Sequence, residues 1–185
     1  MSKHHRSSGH GTRRRHQDLL YDPNVPRPSH AERARTLVER VGTGTLCTLA
    51  GDPQGYPYGS FVTFGLWQGQ PVFLISALAE HTKNLIKEPR CSLLVVEPGQ
   101  GDPLVRGRVT LVGRCAQADN EQRDSAREAF LSAHPNASFY IDFKDFCMWL
   151  LTVESIRYIG GYGRMSWIGE GDWIQAHPCP VAGHA

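Results

Sequence analysis

The spacing of apolar residues predicts a helix at the start of the folded part of the chain. Between Ser29 and Gly42, apolar side chains recur at intervals of three and four residues, the stripe of an amphipathic helix: Ala34, Leu37, Val38 and Val41. Ser29 and Glu32 have the spacing of a capping box, and Gly42 is typical of a helix end. We therefore predict a first helix from Ser29 to Gly42.

Beyond this helix the pattern becomes extended. Segments rich in β-branched and aromatic residues predict six strands and a short seventh: 45–50, 58–66, 72–76, 91–96, 105–115, 147–159 and 165–168. The first three are expected to form a meander. The unbroken apolar run 91–96 indicates a strand that is buried on both sides or belongs to a barrel.

Helical patterns interrupt these strands twice. A short helix is predicted at 78–87, and a longer one begins at Asp119, where Gln122 completes a D-x-x-Q box, and ends at His134. For 139–146, aromatic and acidic residues alternate without distinguishing helix from loop. Short strands with a few helices predict a mainly β fold, a small closed or split barrel.

The chain divides into three parts by composition. Residues 1–28 are polar and then proline-rich, which predicts a disordered basic tail. Residues 29–175 carry the predicted barrel, and residues 176–185 are expected to form a flexible C-terminal tail.

Charge and cysteine content narrow the functional classes. The net charge is +2, but five basic residues and no acid lie within the first sixteen, so the remaining chain is slightly acidic. This balance argues against nucleic-acid binding. No apolar run reaches the about 18 residues of a membrane span. The five cysteines lack C-x-x-C spacing, which favours reduced thiols and a cytoplasmic location.

Polar side chains gather where the strand 72–76 is followed by the helix 78–87. Ser76, His81, Thr82 and Lys83 could reach a phosphate or carboxylate at a helix N-terminus. An ordinary capped surface helix would explain the same residues. The imidazole of His81 could also ligate a haem iron, although a lone histidine is more often simply hydrogen-bonded.

Two further groups are candidates for cofactor contacts. Arg106 and Arg108 lie two apart on the predicted strand 105–115, so they are expected on one face, where they bind an anion or line a solvated surface. Gly161 and Arg164 belong to a glycine-rich loop. Its backbone could approach a flat ring closely, or it could be a plain turn.

Five motifs together resemble the pyridoxamine-5′-phosphate-oxidase-like split barrels, and in particular their HugZ-type haem-oxygenase branch. The motifs are G-D-P-x-G-Y-P-Y-G-S-F-V (51–62), H-T-K-N-L-I-K-E-P-R-C-S-L-L-V (81–95), R-V-T-L-V-G (108–113), H-P-x-A-x-x-Y-x-x-F-x-D-F (134–146) and G-G-Y-G-R-x-x-W (160–167). Together they span roughly residues 30 to 175 and occur in the order of the family.

The resemblance implies a six-stranded split β-barrel that forms a homodimer, with cofactor sites at the dimer interface. In flavin-binding relatives, the positions that hold the phosphate of flavin mononucleotide (FMN) match Ser60, Ser76, His81 and Thr82. Those relatives usually carry Arg at the position of Ser60 and Lys at that of His81. The loss of two charged contacts, each worth about 1.5–3 kcal/mol, would weaken phosphate binding.

The resemblance leaves two functions open. The first is an oxidoreductase that binds FMN or haem, of the haem-utilising HugZ type, with His81 as iron ligand in the haem case. The second is a cofactor-free regulatory split barrel, similar to relatives that bind glutamyl-tRNA reductase. Arg106 or Arg108 would steady a haem propionate in the first case.

Overall fold

The computed structural model describes residues 27–179, so most of the predicted N-terminal tail and residues 180–185 lie outside it. Within these residues the chain forms the following elements in order: α1 (His30–Val41), β1 (Thr43–Leu49), β2 (Pro57–Thr63), β3 (Gly65–Trp67), β4 (Gln70–Ser76), α2 (Glu80–Lys87), β5 (Arg90–Val96), β6 (Gly107–Gln117), α3 (Arg123–Ala133), β7 (Phe146–Gly160), β8 (Met165–Ile168) and α4 (Glu170–Gln175).

Local capping explains where α1 begins and ends. The Ser29 side chain accepts a hydrogen bond from the Glu32 N–H, and the Glu32 carboxylate accepts one from the Ser29 N–H, as predicted. Gly42 ends the helix in the left-handed conformation, with φ of 61°, which glycine adopts without steric cost. The Asp119–Gln122 box also forms, but α3 begins after it, at Arg123.

The strands form an antiparallel sheet that curls into a half-barrel, and the predicted mainly β split-barrel fold is confirmed. The order is β2-β1-β5-β6-β7-β4-β3, with β8 paired to β7. Residues 27–179 contain eight strands, one more than the predicted six and short seventh, and the predicted seventh is β8. The predicted meander forms in part: β1 pairs with β2 and β3 pairs with β4, while the other edge of β4 pairs with β7. The strand predicted at 58–66 is divided between β2 and β3.

Two apolar layers cover the sheet. The interior of the half-barrel is closed by α1 and α4, and α3 packs against the outer face of β4 and β7. Consequently β4 is buried on both faces, as Phe73 and Ile75 point to one layer and Val72 and Leu74 to the other. The strand at 91–96 instead alternates between buried and exposed positions, as expected for a barrel strand with one solvated face.

The C-terminal part of the described chain packs on the barrel. Trp173 of α4 is fully buried, and its indole N–H donates to the Gly69 carbonyl at 2.9 Å. In the predicted C-terminal tail, the Cys179 N–H donates to the Thr36 hydroxyl of α1 at 2.9 Å. No helix in residues 27–179 has the length and apolar character needed to cross a membrane.

Candidate functional site

The turn from β4 into α2 brings most of the predicted site residues together. Ser76 ends β4, and Ala79 precedes α2 without any side-chain cap. The Thr82 hydroxyl donates to the Ser76 carbonyl at 2.7 Å, and the Thr82 and Lys83 N–H groups both donate to the Ala79 carbonyl. Thr82 is therefore buried, and its hydroxyl stabilises this turn. The first N–H groups of α2 donate to a carbonyl of the same turn.

His81 lies in the first turn of α2, facing β2. Its Nδ1 is 3.0 Å from the Ser60 hydroxyl oxygen, and this hydroxyl donates to the Leu46 carbonyl of β1 at 3.4 Å. Since the Ser60 proton is directed at Leu46, the Ser60 oxygen accepts from His81 Nδ1–H. With the ring protons assigned in this way, Nε2 carries the lone pair.

The other ring nitrogen of His81 is the unusual atom of the site. Nε2 is buried and has no hydrogen-bond partner among residues 27–179. Burial lowers the pKa of His81, which favours the neutral imidazole. A neutral imidazole with one nitrogen held by a hydrogen bond and the other unpaired has the properties of a metal ligand.

The residues expected to hold a phosphate are engaged within the chain. The Ser76 hydroxyl donates to the Asp145 carboxylate at 2.6 Å and accepts from the Leu78 N–H. Lys83 is exposed and forms an ion pair with Glu80 at 3.4 Å. The Asp145 carboxylate beside Ser76 would repel a phosphate dianion there, so this arrangement does not favour the phosphate of FMN.

Asn84, which the sequence analysis did not single out, anchors α2 to the sheet. Its side chain is buried, accepts from the Gly51 N–H and donates to the Thr48 hydroxyl of β1, both at 3.0 Å. The sequence could have indicated Asn84, because it is a polar residue on the inner face of an amphipathic helix. Asn84 thereby fixes the position from which His81 faces β2.

The remaining predicted residues form a second group near the β7–β8 loop. Arg106 precedes β6, so the prediction that it shares a strand face with Arg108 is wrong. Their guanidinium groups donate to the carbonyls of Gly101 and Leu104 respectively. A Cβ on Gly161 would lie 2.9 Å from the Val105 carbonyl oxygen. The backbone that Gly161 approaches closely is therefore that of Val105 in the same chain.

Arg164 follows Gly161 in the same loop and is exposed; its carbonyl accepts from the Gly160 N–H at 2.8 Å. These loop contacts are those of an ordinary turn. They leave the Arg164 guanidinium available for a ligand.

The residues around His81 and the residues near the β7–β8 loop lie apart within one chain. Ser60 pairs with Leu46 and Leu46 with Leu93, whereas Arg108 pairs with Val96, three residues further along β5. Three residues of strand span about 10 Å, and β6 is three strands from β2, about 14 Å across the sheet.

Large apolar side chains are exposed near His81. Leu78, at the turn before α2, is 74% exposed, and Phe61, which points to the opposite face of β2 from Ser60, is 76% exposed. Further exposed apolar side chains on the same two segments are Tyr56, Tyr58 and Ile86. Such a concentration is typical of a surface that binds an apolar ligand or another protein.

The donor set fits a haem iron better than a bare metal ion. Residues 27–179 contain no group of three or more His, Cys, Asp or Glu side chains placed to hold a metal. Haem iron takes four ligands from its porphyrin and needs one protein ligand, commonly a histidine. A neutral imidazole such as that of His81 has the chemistry such a ligand needs.

The chain is similar to known proteins over most of its length. Residues 25–175 match the family model described as CREG, beta-barrel. The chain is 33% identical over 156 residues to the chloroplastic heme oxygenase HOZ of Arabidopsis thaliana, covering 83% of this chain and 47% of that protein. The chain thus spans about half the length of this curated relative.

Solved structures agree with the fold. A heme binding protein from Mycobacterium smegmatis is 42% identical, with a TM-score of 0.78, over 83% of this chain and 63% of its own. A Clostridium acetobutylicum protein of the pyridoxinephosphate oxidase family is 16% identical, with a TM-score of 0.56, over 74% of this chain and 92% of its own. The second likeness concerns the fold alone and supports the split β-barrel.

Proposed function

Because the chain belongs to the CREG beta-barrel family, we propose that it binds haem through His81 and degrades it oxidatively, in the manner of the HugZ-type haem oxygenases. The observation that carries this proposal is the buried, unpaired Nε2 of a neutral His81. A relative described as a heme oxygenase and another described as a heme binding protein support it.

In this proposal each residue around His81 has a separate role. Ser60 holds the ring through Nδ1 and so keeps the Nε2 lone pair available. Asn84 fixes the position of α2, and Leu78 together with Tyr58, which lies on the same face of β2 as Ser60, supplies apolar surface for a planar ring. Bound haem would supply the iron at which oxygen reacts. His81 would be the protein ligand of that iron, through Nε2.

Binding also requires a local movement. Nε2 is shielded from solvent in the chain without ligand. The covering side chains must shift before an iron can approach, so we expect association to be slower than diffusion-limited encounter.

A homodimer is part of the proposal. The exposed apolar side chains on β2 and at the start of α2 lie beside His81, and an interface there would enclose the ring. We also propose a cytoplasmic location, which the five free thiols support.

The test is an absorbance titration of the purified protein with haem and, separately, with FMN. We expect a Soret band that saturates near one haem per chain. His81→Ala should lower the affinity for haem at least about tenfold, because the iron loses its protein ligand. His30→Ala and His177→Ala are the matched controls, since both imidazoles are exposed.

The other outcomes identify the competing functions. Flavin absorbance with FMN would mean that the turn after β4 accepts a phosphate despite Asp145. Loss of the Soret band in His177→Ala but not in His81→Ala would move the iron ligand to the C-terminal segment. Binding of neither cofactor would favour the cofactor-free regulatory protein.

A further inference from the structure

A cavity of about 350 Å³ lies between α1 and the ends of the barrel strands. Arg33, Leu37, Arg40 and Val41 line it from one face of α1, at the spacing of successive helical turns. This volume is within the about 300–1,000 Å³ of small-molecule sites. The cavity has a cationic side chain at each end of this stripe and apolar side chains beside them.

Arg33 and Arg40 are separated along α1, and neither is in an ion pair within residues 27–179. Positions seven residues apart are about 10 Å apart along a helix. Arg33 Nε donates to the Pro28 carbonyl at 3.2 Å, which draws this side chain toward the N-terminal end of α1 and away from Arg40. Neither guanidinium forms an ion pair with a carboxylate in the described part of the chain. Both charges are therefore available to a ligand.

The opposite wall offers a hydroxyl and one carboxylate. Tyr158 is buried, and its side chain lines the cavity. Burial raises the pKa of Tyr158, the charges of Arg33 and Arg164 lower it, and the charge of Glu97 raises it. Arg33 and Glu97 line the same cavity as Tyr158. The Glu97 carboxylate accepts from the Gly107 N–H at 3.0 Å. Two guanidinium groups against one carboxylate leave the cavity net positive.

We propose that this cavity binds an elongated organic dianion: a dicarboxylate with an apolar body, about 10 Å long, whose ends pair with Arg33 and Arg40. Arginine is suited to the ends because its planar fork binds a carboxylate with two hydrogen bonds. Leu37 and Val41 contact the apolar body, and the Tyr158 hydroxyl donates to the carboxylate bound by Arg33.

This site is independent of the haem proposal. Ser60, which holds His81, is level with Leu93 of β5, and Glu97 lies four residues beyond Leu93, about 13 Å along the strands. A dicarboxylate in the cavity would therefore not contact His81, and either proposal can fail alone.

The experiment compares simple carboxylates of different length and charge, and their binding to the full chain is measured by isothermal titration calorimetry. Suberate should bind at least about tenfold more tightly than octanoate, which has the same length and one carboxylate; tenfold corresponds to about 1.4 kcal/mol. Suberate should also exceed succinate, which has two carboxylates but cannot span the arginines.

Variants assign the contacts. Arg33→Gln and Arg40→Gln should each reduce suberate affinity to that of octanoate, whereas Arg114→Gln, on an exposed position of β6, should leave it unchanged. Glu97→Gln should tighten binding, because it removes the one negative charge and keeps an acceptor for the Gly107 N–H. Tyr158→Phe should weaken it with little effect on folding.

Several results would overturn the proposal. Equal affinities for suberate and octanoate would mean that the two arginines do not act together. Insensitivity to Arg33→Gln and Arg40→Gln would place the ligand elsewhere. Absence of binding by every carboxylate would mean that the cavity is not an anion site.

Discussion

At the scale of a single residue, His81 couples protonation to stability. Burial lowers its pKa in the folded chain below the about 6.5 of an exposed histidine. Between these two pKa values the unfolded chain binds more protons than the folded chain, so stability falls as the pH decreases below about 6.5. We expect the free energy of unfolding, measured with urea at a series of pH values, to decline in that range in the wild type and less so in His81→Gln.

His177→Gln is the control for this measurement, because its imidazole is exposed. This variant should retain the wild-type pH dependence. An unchanged slope in His81→Gln would mean that the imidazole titrates as it does in the unfolded chain, and the neutral state on which iron ligation depends would lose its support.

The sequence predicted which residues meet around His81, but not how their hydrogen bonds are used. The resemblance placed Ser60, Ser76, His81 and Thr82 in one site, and the structure does bring them together. The partner of Ser76 is Asp145, 69 residues away. A hydroxyl that is engaged cannot be distinguished from a free one by local sequence, because the contact is made by tertiary packing.

At the scale of secondary structure, Asn84 joins α2 to the sheet. Asn84→Ala would leave the Gly51 N–H and the Thr48 hydroxyl without their partner in a buried environment. We expect a loss of about 2 kcal/mol in the free energy of unfolding, the usual cost of such unsatisfied groups. Haem affinity should fall as well, because α2 carries His81. Chemical denaturation and the haem titration measure the two effects.

Asn136→Ala is the matched control, since Asn136 is exposed. It should alter neither stability nor haem affinity. A loss well below about 1 kcal/mol for Asn84→Ala would mean that water replaces the amide and that the anchor is weaker than its geometry indicates.

The elements that the sequence predicted well are those fixed by local interactions. The capping box of Ser29 and the left-handed Gly42 bound α1 at both ends. The predicted meander is right only for its local pairings, β1 with β2 and β3 with β4. The pairing of β4 with β7, seventy or more residues later, was missed because it depends on long-range contacts. The helix α4 was missed because its six residues bury a single aromatic side chain, Trp173, which gives no periodic pattern.

At the scale of the whole molecule, the half-barrel leaves an apolar surface at its β2 end. β2 pairs only with β1 within residues 27–179, and its outer face carries Phe61, which is 76% exposed. The homodimer of our proposal would cover this surface. In a twofold interface each residue occurs twice, so one substitution removes two contacts.

We therefore expect Phe61→Asp to weaken dimerisation strongly. Loss of two buried phenylalanine side chains, at about 2 kcal/mol each, would raise the dissociation constant of the dimer roughly a thousandfold. Sedimentation velocity over a range of concentrations measures this change. Phe139→Asp, which replaces an equally exposed phenylalanine far from β2 in sequence, should leave the dimer intact. A monomeric wild type would refute the homodimer, and a Phe61→Asp variant that remains dimeric would place the interface on another face. If the dimer separates and haem affinity falls with it, the surface beside His81 both joins the subunits and encloses the ring.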